Sequence, residues 1–255
     1  MDIYYLCNSG FTLEHGGDAL VFDYYRGSLG GPRLAPLARK PSDYRDIYVF
    51  ASHAHADHYN PDIFGWVSER RDIRYILSND IRPSVPAGVR DGSRGHKLIF
   101  INEGERVAAG NLSVRAFGST DAGVSFCVGL DDGTVIFHAG DFNFWHWRDE
   151  SSREEIEEAR ASFDRVLADI KINAEKPDVA FFPVDPRMKT DYHRGAVLFC
   201  GAVRPAMLIP MHFSGRFAPP PGFYDELPGG TVVAVPGPSA GRIADFHTVE
   251  RKIGS

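Results

Sequence analysis

The sequence predicts an α+β fold in which sheets are covered by helices, and three observations carry that expectation. Short apolar runs separated by turn residues fill positions 3–24 and 97–138. A capped, amphipathic helix pattern begins near residue 151. Strand and helix patterns then alternate to about residue 210, which suits layered sheets rather than a helical bundle. At 255 residues, with no linker and no internal repeat, the chain reads as one domain over 1–255.

Taken in order, strands are expected at 3–7, 11–13 and 19–23, with the Gly16-Gly17-Asp18 turn before the last. The uninterrupted apolar run 47–51 predicts a buried strand, 61–70 a helix and 75–77 another short strand. Residues 97–138 read as successive hairpins, with strands at 97–101, 105–108, 112–117, 124–129 and 134–138. Ser151 and Ser152 each precede a glutamate by three residues, giving two overlapping capping-box candidates. Ile156, Ala159, Phe163, Val166, Leu167 and Ile170 form one stripe at helical spacing behind them. A strand at 179–184, a helix at 192–203 and strands at 207–210, 232–235 and 243–246 complete the reading.

Composition narrows the function. A formal net charge of −6 argues against general affinity for nucleic acid or anionic membrane, and favours a small-molecule substrate. Cys7, Cys127 and Cys200 are odd in number and far apart, which excludes a disulfide framework or a cysteine-rich zinc site. The opening Met1-Asp2-Ile3 is no basic leader and no run approaches the ~20 apolar residues of a membrane span, so a cytoplasmic protein without stable membrane association is expected.

The feature with chemistry in it is Ser52-His53-Ala54-His55-Ala56-Asp57-His58, directly after the strand at 47–51. Imidazole nitrogen and carboxylate oxygen are ligands for zinc, manganese or iron. In an extended segment residues 53, 55 and 57 share a side, and a turn at the strand end swings His58 toward a neighbouring point.

The HxHxDH motif at 53–58, Asp23 ending an early strand, Phe137-His138-Ala139-Gly140-Asp141 and Leu208-Ile209-Pro210-Met211-His212-Phe213 follow one another along nearly the whole chain. In these motifs the sequence resembles the metallo-β-lactamase-fold hydrolase superfamily. The resemblance implies a four-layer αββα sandwich with the metals at one edge of its two sheets. It implies that His53 and His55 hold one ion, that Asp57, His58 and His212 hold a second, and that Asp141 bridges them. Asp23 would orient a ligand, with His138 in the same supporting position. The cofactor expected is a divalent metal, zinc or manganese, as one or two ions.

One departure stands out. The family places a further histidine between the first cluster and the bridging aspartate, whereas residues 117–126 (FGSTDAGVSF) contain none. Asp121 replaces it, or the first position is weak or empty, or His146 or His193 folds in from elsewhere. An asymmetric or mononuclear site is favoured over a full binuclear one. Candidate substrate contacts are His146, in the aromatic segment 142–147, Asp185 and Arg187 after the strand at 179–184, and His193 at a helix start. Asp185 and Arg187 either pair with each other or orient an anionic substrate.

The chemistry implied is metal-assisted hydrolysis, in which an activated hydroxide attacks a carbonyl or phosphoryl centre. Asp57 and Asp141 are the expected catalytic residues, with Asp57 carrying the proton to the leaving group. The short chain and the ending at 208–213 look most like the lactonase-type branch, similar to L-ascorbate-6-phosphate lactonase. A small ester, lactone or phosphodiester is the leading substrate class. A phosphodiesterase acting on a nucleotide or lipid headgroup, and a non-catalytic metal-binding or sensing protein, are the alternatives.

Overall fold

The long apolar runs of the sequence are strands buried on both faces, and this dictates a layered arrangement. The computed structural model describes residues 1–25, 36–90, 96–213, 217–237, 239–243 and the backbone of 245–248. Among these residues fifteen strands build two mixed sheets. β1 (Asp2–Cys7), β2 (Gly10–His15), β3 (Asp18–Phe22), β4 (Ile47–Ala51), β5 (Arg74–Ser78), β6 (Lys97–Ile101) and β14 (Gly241–Arg242) form the first, in the order β14-β1-β2-β3-β4-β5-β6. β7 (Arg106–Ala109), β8 (Leu112–Phe117), β9 (Ser125–Gly129), β10 (Val135–His138), β11 (Val179–Pro183), β12 (Met207–Met211), β13 (Val232–Val235) and β15 (Asp245–Thr248) form the second, in the order β15-β13-β12-β11-β10-β9-β8-β7.

The sheets face each other across an aromatic core. Phe22 stacks on Phe50 at 4.6 Å, Phe11 meets Phe181 at 4.3 Å, and Phe50 meets Phe126 edge-on. On the outer face of the first sheet, Val21, Val49 and Tyr75 pack with Ile63, Phe64 and Trp66 of a 3-10 helix, Pro61–Ser68. On the outer face of the second, Phe142 and Phe182 pack with Phe163 of α2 (Arg153–Asn173) and Phe199 of α3 (Arg194–Val203). Helix, sheet, sheet and helix thus give the expected αββα sandwich. The short helices α1 (Ala87–Arg90) and α4 (Phe223–Glu226) cover its margins.

Of the two capping candidates, Ser152 is the cap: its hydroxyl accepts from the Glu155 amide, and the Glu155 carboxylate accepts from the Ser152 amide. Three expectations are corrected. The 61–70 segment is a 3-10 helix, capped by the Asn60 side chain and started by Pro61, rather than an α-helix. Residues 97–101 are no hairpin partner of the next strand: β6 pairs parallel with β5 through Tyr75 and Leu98, and the chain then crosses to the other sheet. The single strand expected at 243–246 is instead two, β14 pairing with β1 and β15 with β13, while Ala244 lies outside the described residues.

Candidate metal centre

β3–β4 and β10–β11–β12 are parallel neighbours, so their carboxyl ends lie at one edge of the sandwich. There the chain leaves Asp23 after β3, residues 52–58 after β4, Asp141 after β10, Asp185 after β11 and His212 after β12. Asp23 and His212 turn out of their strands with φ of 42° and 65°, in the left-handed region that short polar side chains tolerate best. Two glycines allow the loops to close. A Cβ at Gly123 (φ 65°) would sit 2.0 Å from the Ser52 carbonyl oxygen, and one at Gly140 (φ 53°) 2.7 Å from Ser52 Cβ.

Three imidazoles converge on Asp141. His58 Nε2 lies 3.0 Å and His212 Nε2 3.2 Å from Asp141 Oδ1, and His53 Nε2 lies 3.3 Å from Oδ2. These separations are short enough for hydrogen bonds, yet the directions are wrong: the three Nε2 atoms and Asp141 Oδ1 are buried without a hydrogen-bond partner. The opposite nitrogens are all engaged. His58 Nδ1 donates to Asp23 at 2.7 Å, His212 Nδ1 donates to Asp185 at 3.0 Å, and His53 Nδ1 meets the Ser52 hydroxyl at 3.0 Å. Asp23 in turn accepts from the Ser52 amide and hydroxyl. Such pairing fixes each ring and leaves its Nε2 lone pair for something in the middle, which is how metal-ligating histidines are held. Unpartnered Nε2 atoms on three rings about one carboxylate fit divalent cations, His53 grouping with His58 and Asp141, and His58 with His212 and Asp57.

Charge follows the geometry. Burial works against the Asp141 carboxylate, but the His212, His53 and His58 rings around it hold it well below the usual range. Burial likewise opposes charge on His58, and contacts with Asp141 and Asp23 overcome it, lifting the ring to about 10. Asp23 and Asp185 are lowered despite burial, by His138 and His58 and by His212 and Arg187 respectively. His138 lies between the sheets, stacked on Phe22, with burial holding it neutral; its Nε2 donates to the Ser9 carbonyl and its Nδ1 accepts from the Gly140 amide. It supports the Gly140 turn and stands 4.0 Å from Asp23.

The remaining predicted residues face an open cavity of about 350 Å³. Asp57 accepts from Asn8 Nδ2 at 3.2 Å and lies 3.6 Å from His58 Nε2 and 3.8 Å from His212 Nε2. His55 Nδ1 is 4.0 Å from Asp121 Oδ2, and both side chains are more than half exposed. Three donor groupings therefore exist among the described residues: His53 with His58 and Asp141, Asp57 with His58 and His212, and His55 with Asp121 and Asp141.

Two substrate-contact expectations, at His146 and His193, are corrected, and of the two alternatives for Asp185 and Arg187 the structure shows the pairing. His146 is buried beneath the cavity wall, its Nδ1 accepting from the Arg148 amide and its Nε2 donating to the Asp191 carbonyl. His193 is buried at the start of α3, against Phe223 and bonded to Glu226. Neither belongs to a donor grouping among the described residues. Asp185 is fully buried behind His212, its oxygens taken by that ring and by Arg187. Arg187 does line the cavity, together with Trp145 and Trp147 of the aromatic segment, and with Thr120, which sequence reasoning did not name as a contact. The signal available was parity: in an extended 142–147 segment, 145 and 147 face opposite to 146.

The geometry has counterparts. Residues 6–213 match the family model described as the beta-lactamase superfamily domain, and the chain belongs to that family. A UPF0173 metal-dependent hydrolase of Anaeromyxobacter sp. (strain K) is 25% identical over 220 residues, covering 83% of this chain and 73% of the relative. Among solved structures, the metallo hydrolase Igni18 of Ignicoccus hospitalis superposes with a TM-score of 0.60 at 20% identity, covering 98% of this chain and 99% of that one. The metallo-beta-lactamase fold protein YhfI of Bacillus subtilis gives 0.60 at 12% identity, covering 94% and 98%. The structural matches show the same fold, and the family match makes the chain a member of the beta-lactamase superfamily.

Proposed function

We propose that this chain hydrolyses a small ester, lactone or phosphodiester with one or two divalent ions, zinc or manganese, held by His53, His55, Asp57, His58, Asp121, Asp141 and His212. The observation that carries the reading is the set of buried, unpartnered atoms: Nε2 of His53, His58 and His212, and Oδ1 of Asp141. A divalent ion bound there supplies Lewis acidity and makes water acidic enough to ionise near pH 7. Asp141 is a fixed anion among three rings, well suited to hold charge and poorly suited to exchange protons. Asp57 is 43% exposed on its side chain and faces the cavity, so it is the group placed to take a proton from water and return it to a leaving group.

The donors are unequal. His58 and His212 are buried and braced by carboxylates, whereas His55 and Asp121 are exposed and unbraced. An inner ion therefore binds more tightly than an outer one, and Asp121, a hard oxygen donor, stands in for the absent histidine and favours manganese in the outer position. The lactonase-type resemblance puts lactones first in order of test. A net charge of −6 supports small molecules over nucleic acid, and a cytoplasmic setting is proposed with it. No helix of the described residues is long and apolar enough to cross a membrane.

The test is to load purified protein with zinc or manganese, measure stoichiometry by elemental analysis, and assay lactones, aryl esters and bis-p-nitrophenyl phosphate. Turnover that needs metal and disappears in Asp141→Ala is expected. Tight metal binding with a silent panel would favour a metal-binding or sensing protein, and Asp141→Ala with full activity would sink the mechanism.

A further inference from the structure

One wall of the cavity plays no part in the hydrolytic reading. Trp145 and Trp147 lie with their ring planes 16° apart and centroids 6.3 Å apart, both lining the cavity and neither fully buried. The Trp145 indole N–H donates to the Asp141 carbonyl at 2.8 Å, and its ring meets His212 edge-on at 5.3 Å. Trp147 has φ 37°, a conformation that bulky side chains rarely adopt. Strain of that kind persists only where the surroundings over-determine it. Here they do: His146, the residue between the two tryptophans in the chain, is hydrogen-bonded on both ring nitrogens and packed on Phe144.

Beside this wall stands Arg187. Its Nε and Nη2 are committed to Asp185, which fixes the guanidinium plane. Nη1 has no protein hydrogen-bond partner among the described residues, and the side chain is 64% exposed. Asp57, Asp121 and Asp141 of the same lining are donors in the metal reading, which leaves Arg187 as its guanidinium free to hold an anion.

We infer that Trp145, Trp147 and Arg187 form a recognition subsite for a compact substrate bearing an oxyanion, carboxylate or phosphate, next to a flat aromatic ring. The ring lies against the indole pair and the oxyanion binds Arg187. A cavity of about 350 Å³ limits the ligand to a small one. The subsite's role as a substrate site rests on the hydrolytic reading of the neighbouring cluster, but its geometry does not.

The test uses the full chain loaded with zinc, titrated with benzoate, benzamide and acetate by calorimetry and by tryptophan fluorescence. The protein has three tryptophans, and Trp66 is buried on the far face of the first sheet, so quenching reports on the other two. Benzoate should bind about 10-fold tighter than benzamide, the size of one charge-assisted hydrogen bond, and about 10-fold tighter than acetate, which lacks the ring. Arg187→Gln should bring benzoate to the benzamide level and leave benzamide unchanged, with Arg187→Lys restoring part of the gap. Trp147→Leu should weaken both aromatic ligands and spare acetate. Benzoate no tighter than its two controls, or Arg187→Gln weakening benzamide equally, would overturn the inference. If the variants do not fold, the wild-type ratio and its loss in high salt still decide it. Elemental analysis keeps the two readings apart: Arg187-dependent benzoate binding to a protein that holds no metal would leave the subsite standing and the hydrolytic reading fallen.

Discussion

At the scale of single residues, Asp185 separates bracing from catalysis. It touches no cavity surface, yet its carboxylate holds His212 in one orientation. Asp185→Asn should keep the circular dichroism spectrum and lower zinc affinity about 10- to 100-fold; unchanged affinity would show that His212 needs no partner. The histidines also set a pH response. His58, raised from 6.5 to about 10, stabilises the metal-free protein fully below pH 6.5 and loses that contribution as pH rises through 10. Asp141, lowered from 3.8, contributes above that pH and loses it as pH falls. These two contributions overlap between about pH 3.8 and 6.5, while His138 and His146, lowered by burial, work against stability as pH falls below 6.5. A divalent ion takes the unprotonated ring, so metal binding should release protons and tighten from pH 6 to about 9. Calorimetry in two buffers of different ionisation enthalpy measures this, and an absence of proton release would refute it. The 53–58 cluster was legible because its donors fall within six consecutive residues; a turn that bonds the His58 and Tyr59 amides to the His55 carbonyl gathers them, not strand alternation. Asp185 was not, because its role depends on register: Pro183 pairs with Met211, which sets Asp185 beside His212, and no local pattern encodes that pairing. His146 was misassigned for the same kind of reason, since alternation names two faces without saying which one meets the cavity.

At the scale of elements, loops and caps are separable. The 118–123 connection between β8 and β9 passes so close to Ser52 that only glycine fits at 123. Gly123→Ala should cost about 2 kcal/mol or more and disturb the residue next to His53, lowering both melting temperature and metal affinity. Ser152→Ala, far from the cluster, should cost about 1 kcal/mol, lowering Tm by about 2–4 °C with activity unchanged. If Ser152→Ala lowered activity as well, the helix layer and the metal edge would be coupled, with Phe163 against Phe142 as the contact between them. The capping box was readable because its signal spans three residues. The parallel pairing of β6 was not, because Lys97–Ile101 carries the same apolar pattern whether its partner is β5 or β7.

At the scale of the whole molecule, the donors come from both sheets: His53, His55, Asp57 and His58 from the first, Asp141 and His212 from the second. A bound ion thus ties the sheets together. At a free zinc concentration 100-fold above Kd, stabilisation is about 2.7 kcal/mol, or roughly 5–10 °C in Tm, and chelation should reverse it. Hydrogen exchange should locate the loosening at the carboxyl ends of β4, β10 and β12; uniform loosening would argue against the tie. The opposite tie is covalent. β14 joins the first sheet and β15 the second with two residues between them, and β14 pairs residues 241 and 242 with Tyr5 and Tyr4. The far edge of the first sheet therefore closes through a loop that encompasses almost the full chain. Loop closure on that scale is slow, so the chain should finish folding in a late phase of milliseconds to seconds, with β1 the last central strand to gain protection.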